Sequence, residues 1–469
     1  MKTKEKTKYS IWQNVRYMVK LAWSHHKSVV WMCFLWAGLS LGIAVVQLFI
    51  APMVLDKVEA AAPLSELLGT IGIFAAALVV LSGILGYVEE NIIYGRISVR
   101  TIIISLINRK ACTTSYPNTR DPDVLKLHEK TLQLCSGNRE PTENIWVTMS
   151  QILLNVSGFA LYLTLLSDLD LFLILVVTVT TATGFFVSKR INEWGYRHKE
   201  EEAGYRKQLS YFNNKAKSIK MAKDIRIFGL SDWLVGLFKS VQALHEAYLD
   251  RRERVYSWTC VVDVVLQFLR NGIAYLYLLR MALEGGLSAA EFLLYFSAFT
   301  GFSQWVTGIL EQVTQLHKES LGISTVREYL EREEQFRFEG GIPIPQAESY
   351  ELKLEDVTFR YPGTDRQIVR HMDLTLRPGE KVAIVGLNGA GKTTLVKLLC
   401  GFYDPDEGRV TLNGIDIREF DRHEYYKLFS AVFQEFSELD ITVAQSVAQK
   451  VDGFDMDRVK ECIGKAGLT

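Results

Sequence analysis

The sequence predicts two joined domains. Residues 1–330 form an all-α membrane domain with six spanning helices, and residues 351–469 form an incomplete α/β phosphate-loop domain, with a linker at 331–350. Three observations predict this. Six apolar stretches lie in series between Ser28 and Leu316, each approaching or exceeding the roughly 20 residues needed to cross a bilayer. The connections between them concentrate lysine and arginine on one side. A glycine-rich run, Gly386-Leu-Asn-Gly-Ala-Gly-Lys-Thr393, falls between a strand pattern and a helix pattern.

Composition excludes some classes. Lysine plus arginine equals aspartate plus glutamate, 53 of each in 469 residues, so no net charge draws the chain to nucleic acid. The six cysteines (Cys33, Cys112, Cys135, Cys260, Cys400, Cys462) lie far apart with no CxxC pair. That argues against a disulfide framework or zinc site and fits a reducing cytoplasmic face.

The N-terminal Met1–Lys8 is basic, but no short apolar run with a small-residue cleavage site follows it, so it is not read as a signal peptide. Ile11, Val15, Met18 and Ala22 recur at helical spacing, with Asn14, Arg16 and Lys20 on other faces. The spacing predicts a short amphipathic helix in the membrane interface. A soluble helix packed on another domain is the alternative.

The spans read as Ser28–Val54, Leu67–Tyr94, Ile145–Leu166, Leu169–Ser188, Tyr256–Leu283 and Ser288–Leu316. The connection after the second holds Arg96, Arg100, Arg109, Lys110, Arg120, Lys126, Lys130 and Arg139. The one after the fourth is richer still, from Lys189 to Arg254, whereas the opposite loops carry almost none beyond Lys57. Both termini and both long basic connections are therefore expected in the cytoplasm. The connections keep helical periodicity, so spans two to five should continue as helices outside the membrane. Asp121–Ser136 and Ala222–Phe238 are the expected turn helices. Charge on both is accounted for by a solvated face, but Ile225, Ile227, Phe228, Leu230 and Trp233 need something to pack against. Ionisable groups within spans are functional candidates. Asp263, Glu89, Glu90 and Glu311 could form an acidic vestibule attracting a cationic substrate, unless Arg270 neutralises Asp263 in a purely structural pair.

After the linker, with Gly340-Gly341, Pro343 and Pro345, Glu351–Tyr361 and Gln367–Leu376 alternate like strands and Lys381–Val385 reads as a short buried strand. The GxxxxGK[ST] run and the helical Thr394–Cys400 follow. Its glycines let backbone N–H groups curl around a phosphate, and the helix start adds a positive dipole. Lys392 can reach β- and γ-phosphates, and the Thr393 hydroxyl can ligate Mg²⁺.

The segments VTFRYPG, LRPGEKVAIVGLNGAGKTTLVKLLCGFYDPDEGRVTLNGIDI and SAVFQEF together resemble the nucleotide-binding domain of ATP-binding-cassette transporters. The resemblance covers Glu351–Thr469 in detail. The spans and long internal connections extend it, less specifically, to exporters whose membrane and nucleotide domains are fused. It implies ATP and Mg²⁺ as cofactors, held by Gly386, Asn388, Gly389, Ala390, Gly391, Lys392, Thr393 and Thr394, with Tyr361 stacking on adenine. Gln434 resembles the glutamine that touches Mg²⁺ and the attacking water, so Thr393 and Gln434 are the implied metal contacts, and Lys392 and Gln434 the implied catalytic residues. The two turn helices resemble coupling helices that dock on nucleotide domains. The resemblance further implies a second half-transporter, identical or different, in a multi-pass assembly within the lipid of the cytoplasmic membrane. Peptides, lipids and amphipathic cations are all compatible substrates.

No LSGGQ-type signature, no apolar strand ending in an Asp-Glu pair and no later histidine follows Gln434. The chain as written is therefore expected to be a truncated one that cradles a nucleotide without cleaving it. Two other readings stay open: a membrane sensor that binds ATP without pumping, and an importer on the same architecture.

Overall fold

The computed structural model describes residues 8–166, 171–284, 286–387, 389–433 and 440–468. The chain divides into two compact units: residues 1–113 with 122–332, and residues 114–121 with 333–469.

The first unit is helical, built from α1 (Ile11–His25), α2 (Lys27–Glu59), α3 (Leu64–Thr113), α4 (Pro122–Gln133), α5 (Pro141–Leu166), α6 (Leu171–Arg197), α7 (Lys199–Lys217), α8 (Ile219–Ile227), α9 (Ser231–Leu283) and α10 (Ala289–Leu330). Among the described residues, α2, α3, α5, the 174–191 stretch of α6, and α9 are long and apolar enough to cross a membrane. The expected sixth span, α10, is 42 residues long but interspersed with serine, threonine, glutamine and glycine. It packs against α5, α2, α6 and α9, burying Ala298, Phe299, Phe302 and Val306. Protein rather than lipid covers much of its surface, so its sequence tolerates more polarity. Small residues let it approach α5 closely: Trp305 lies over Gly158, and Asn155 lies against Gly308, where any Cβ would collide with it. With 50 and 53 residues, α3 and α9 reach about 75–80 Å at 1.5 Å per residue, far beyond a bilayer core of about 30 Å. The expected helical extension of these spans is present.

A capping box on Ser10 and Gln13 starts α1. Met18 and Ala22 are buried as the spacing predicts, and Trp12 and Trp23 are exposed. Asn14, expected on a polar outer face, is fully buried instead. Its Nδ2 donates to Ser320 O, Ser320 Oγ and Ser324 Oγ at 2.8–2.9 Å, and its Oδ1 accepts from Arg327 Nη1. The serine stripe of α10 satisfies the amide, so burying it costs little.

The second unit centres on a sheet in the order β2-β1-β3-β4, with β1 (Leu352–Arg360), β2 (Gln367–Leu376), β3 (Glu407–Leu412) and β4 (Ile415–Asp416) all antiparallel to their neighbours. Leu352 pairs with Leu376 on one side and Leu412 on the other. The helices are α11 (Lys392–Leu399), α12 (Arg422–Tyr426), α13 (Val443–Ala448) and α14 (Met456–Lys465). Leu354, Val357, Phe359, Leu398, Tyr403, Val410, Phe420 and Tyr425 form its core. Three expectations change. Lys381–Val385 is not a strand, and Val382, Ile384 and Val385 are exposed. A buried parallel strand needs neighbours on both edges, and among the described residues none pairs with it. The stretch from Glu333, expected as linker, is folded into this unit: Phe336 is buried, and Ile342 bridges to Phe420. Finally, the turn helix expected at Asp121–Ser136 is present as α4, but it is not the part that joins the second unit. Helix α4 belongs to the first unit, and the tip before it, Thr114–Asp121 with a 3₁₀ turn at Tyr116–Thr119, belongs to the second.

Candidate nucleotide-binding site

The glycine-rich run lies directly before α11. Gly391 caps the helix in the left-handed region with φ +90°, and Gly389 has φ +81°, conformations that suit glycine alone among these residues. Leu395, Leu398 and Leu399 anchor α11 in the core, which leaves its N-terminus, Lys392 and Thr393, turned away from it. Thr393 is exposed, and Lys392 Nζ donates to Gly386 O at 2.7 Å and Leu387 O at 2.9 Å. The ammonium thus sits over the loop that would receive a phosphate. Free N–H groups at a helix start, a cation and an exposed hydroxyl together suit a triphosphate and its Mg²⁺.

Tyr361 follows β1 and is half-buried. Its Oη lies 2.9 Å from Thr394 Oγ1 in the first turn of α11, and its ring meets Phe359 and Tyr403 edge-on at 5.3 and 5.4 Å. The structure therefore brings Tyr361, Lys392, Thr393 and Thr394 to one end of α11. Beside Tyr361 and the turn Pro362–Asp365, a cavity of about 730 Å³ opens, large enough for a purine. Asn388 and Gln434 lie outside the described residues.

Several supporting residues carry no motif. Tyr403 braces Tyr361; burial, then the neighbouring Tyr116 and Tyr361, push its phenol up to about 12. Arg422 is almost wholly buried, donating from Nη1 to Gly401 O and from Nη2 to Asp404 Oδ1, both at 2.8 Å, with its guanidinium 4.4 Å from the Phe336 ring centre. It thereby ties the end of α11 to α12 and to the segment after Glu333. Tyr116 stacks on Phe402 at 4.8 Å and meets Tyr403 edge-on at 5.4 Å.

Of the acids expected in a vestibule, Glu89 accepts from Trp36 Nε1 at 2.9 Å, and Glu89, Glu90 and Glu311 are exposed. Arg270 Nη1 donates to Thr181 Oγ1 at 3.3 Å. The Asp263 side chain lies outside the described residues.

A family profile described as ABC transporter matches residues 369–468. These residues are an ABC transporter domain. The chain thus joins span-forming helices to an ABC domain, the arrangement of a fused half-transporter. Its curated relatives agree. It is 24% identical over 228 residues to the "Subtilin transport ATP-binding protein SpaT" of Bacillus subtilis, covering 48% of this chain and 36% of that protein. It is 31% identical over 230 residues to an "ATP-dependent lipid A-core flippase" of Methylobacillus flagellatus, covering 48% and 38%. It is 30% identical over 173 residues to the "Colicin V secretion/processing ATP-binding protein CvaB" of Escherichia coli, covering 36% and 24%. The matched stretch thus spans well under half the length of these relatives.

Proposed function

We propose that this chain is one half of an ATP-driven exporter in the cytoplasmic membrane, working as a dimer, with both termini and the ABC domain in the cytoplasm. The observation that carries this reading is the phosphate loop opening α11 in the same chain as the five helices that, among the described residues, are long and apolar enough to span a membrane. ATP–Mg²⁺ would be held by Lys392, Thr393, Thr394 and the loop backbone, with Tyr361 as the platform for the base and Gln434 as the residue beside metal and water.

A partner is supported by α8 and the start of α9. Ile219, Ile227, Phe228 and Trp233 are 60–91% exposed, an apolar face on a polar segment that asks for cover. Docking on the partner's ABC domain would supply it. The relatives named above are described by subtilin transport, colicin V secretion and processing, and lipid A-core flipping, and a peptide, lipid or amphipathic cation is the substrate class proposed here.

The test is ATP-dependent uptake into inside-out vesicles carrying the full-length protein, scanned with a fluorescent peptide, a fluorescent phospholipid and a cationic dye. Uptake of one probe that needs ATP and disappears in Lys392→Ala supports export. Vesicles that take up none of the three, while still binding ATP, count against it.

A further inference from the structure

The tip between α3 and α4 belongs to the ABC-domain unit, and what holds it there is unusually directional. Its 3₁₀ turn, Tyr116–Thr119, is four residues long and makes no side-chain cap of its own. So short a turn has little stability alone, and its position is set by its partners. Tyr116 supplies an aromatic contact with Phe402 and Tyr403, which resists separation but tolerates sliding.

The other partner is Glu334. Its Oε2 accepts from the Ser115 N–H at 2.7 Å, from Ser115 Oγ at 2.8 Å, from Thr114 Oγ1 at 3.1 Å and, more weakly, from Asn118 Nδ2 at 3.4 Å. Ser115 Oγ in turn accepts from the Gln335 and Phe336 N–H groups, each at 3.1 Å, and Gln335 Nε2 donates to Asn118 Oδ1. Ser115 is fully buried and Asn118 nearly so. One carboxylate oxygen thus caps the turn from outside, in place of the missing internal cap. Two residues further, the Phe336 ring covers the Arg422 guanidinium, which holds the Gly401 carbonyl just past α11. A continuous set of contacts therefore runs from the helix that carries the phosphate loop to the tip that leads into α3 and α4.

We propose that Glu334 is a positioning residue for energy coupling: it pins the tip to the ABC domain so that nucleotide-driven movement at α11 is passed to α3 and α4. This rests on the reading that ATP drives rearrangement of the helical unit. It predicts that losing the carboxylate leaves nucleotide binding intact and disconnects its effect.

The experiment is hydrogen exchange on the full-length protein in lipid nanodiscs, with and without a non-hydrolysable ATP analogue and Mg²⁺. It compares wild type with Glu334→Ala, Glu334→Gln, Glu334→Asp and, should Glu334→Ala fold poorly, Ser115→Ala. In Glu334→Ala without nucleotide, amides of residues 114–121 should exchange about ten-fold faster, as expected for lost charge-assisted bonds. Photo-labelling by an azido-ATP should be unchanged. The nucleotide-induced change at residues 97–113 should vanish in Glu334→Ala and Ser115→Ala. Glu334→Gln, which keeps an acceptor at the same reach, should restore more than Glu334→Asp, which keeps charge but is one methylene short. Unchanged exchange at 114–121 in Glu334→Ala, a persisting nucleotide effect at 97–113, or better rescue by Asp than by Gln would each overturn the proposal. A wild-type protein with no nucleotide effect at 97–113 would sink the coupling reading itself. Exchange at 114–121 would still judge the Glu334 contact on its own.

Discussion

Replacing Arg422 with methionine should loosen the end of α11 by about 3 kcal/mol. The change keeps most of the side-chain volume and removes the two 2.8 Å bonds to Gly401 O and Asp404 Oδ1, together with the contact on Phe336. Breaking a buried ion pair from one side costs about 3–5 kcal/mol. The low end applies because Asp404 keeps 27% side-chain exposure and can be hydrated, and because Gly401 O still accepts from Tyr426 Oη at 3.2 Å. The assay is native-state hydrogen exchange at the Cys400 and Phe402 amides, which bond to Val396 O and Lys397 O. A cost of about 3 kcal/mol should speed their exchange on the order of 100-fold. Adding Asp404→Leu should recover part of the loss, since the unpaired charge is then gone. Exchange in Arg422→Met within about three-fold of wild type, under 1 kcal/mol by the same conversion, would refute the idea that this pair secures α11.

Other outcomes follow from the same geometry. In a cysteine-free background, cysteines at Lys126 and Lys220 should resist a membrane-impermeant thiol reagent in intact cells while one at Lys57 reacts; the reverse pattern would overturn the proposed topology. Phe228→Ala and Trp233→Ala should abolish transport while leaving nucleotide labelling nearly unchanged, and normal transport in both would show that the exposed face of α8 and α9 needs no cover. Burial holds the Tyr403 phenol protonated up to about 12, against about 10 in an unfolded chain. Its contribution, on the order of 2 kcal/mol, should be complete below pH 10 and lost as pH rises from 10 to 12. Melting of the ABC-domain unit should therefore fall more steeply over that range in wild type than in Tyr403→Phe, and parallel curves would contradict it.

How much of this was legible in the sequence depends on the range of the interactions. The phosphate loop and α11 were readable because glycine freedom, helix start and lysine all act within eight residues. The strands β1 and β2 were readable from their apolar alternation, although β1 buries Val357, Thr358 and Phe359 in succession. The tip at Thr114–Asp121 was not: a four-residue turn has no period, and its seat is set by Phe402, Tyr403 and Glu334, more than 200 positions away. Asn14 was misplaced for the same reason, since the serines that satisfy it lie some 306–310 residues downstream. Lys381–Val385 shows the opposite error. Its apolar run fits a central strand, but strand pairing is a property of neighbours, and none pairs with it among the described residues. Arg422 and Tyr403 gave no local signal, because a buried arginine and a core tyrosine look like surface and filler until their partners are known.

The central claim is that the loop before α11 binds ATP. Photo-labelling with an azido-ATP in the presence of Mg²⁺, followed by peptide mapping, tests it directly. Labelling should map to the peptide containing Tyr361 and should be lost in Lys392→Ala, which removes the cation poised over Gly386 and Leu387. Undiminished labelling in Lys392→Ala, or labelling mapped only to the helical unit, would contradict the account.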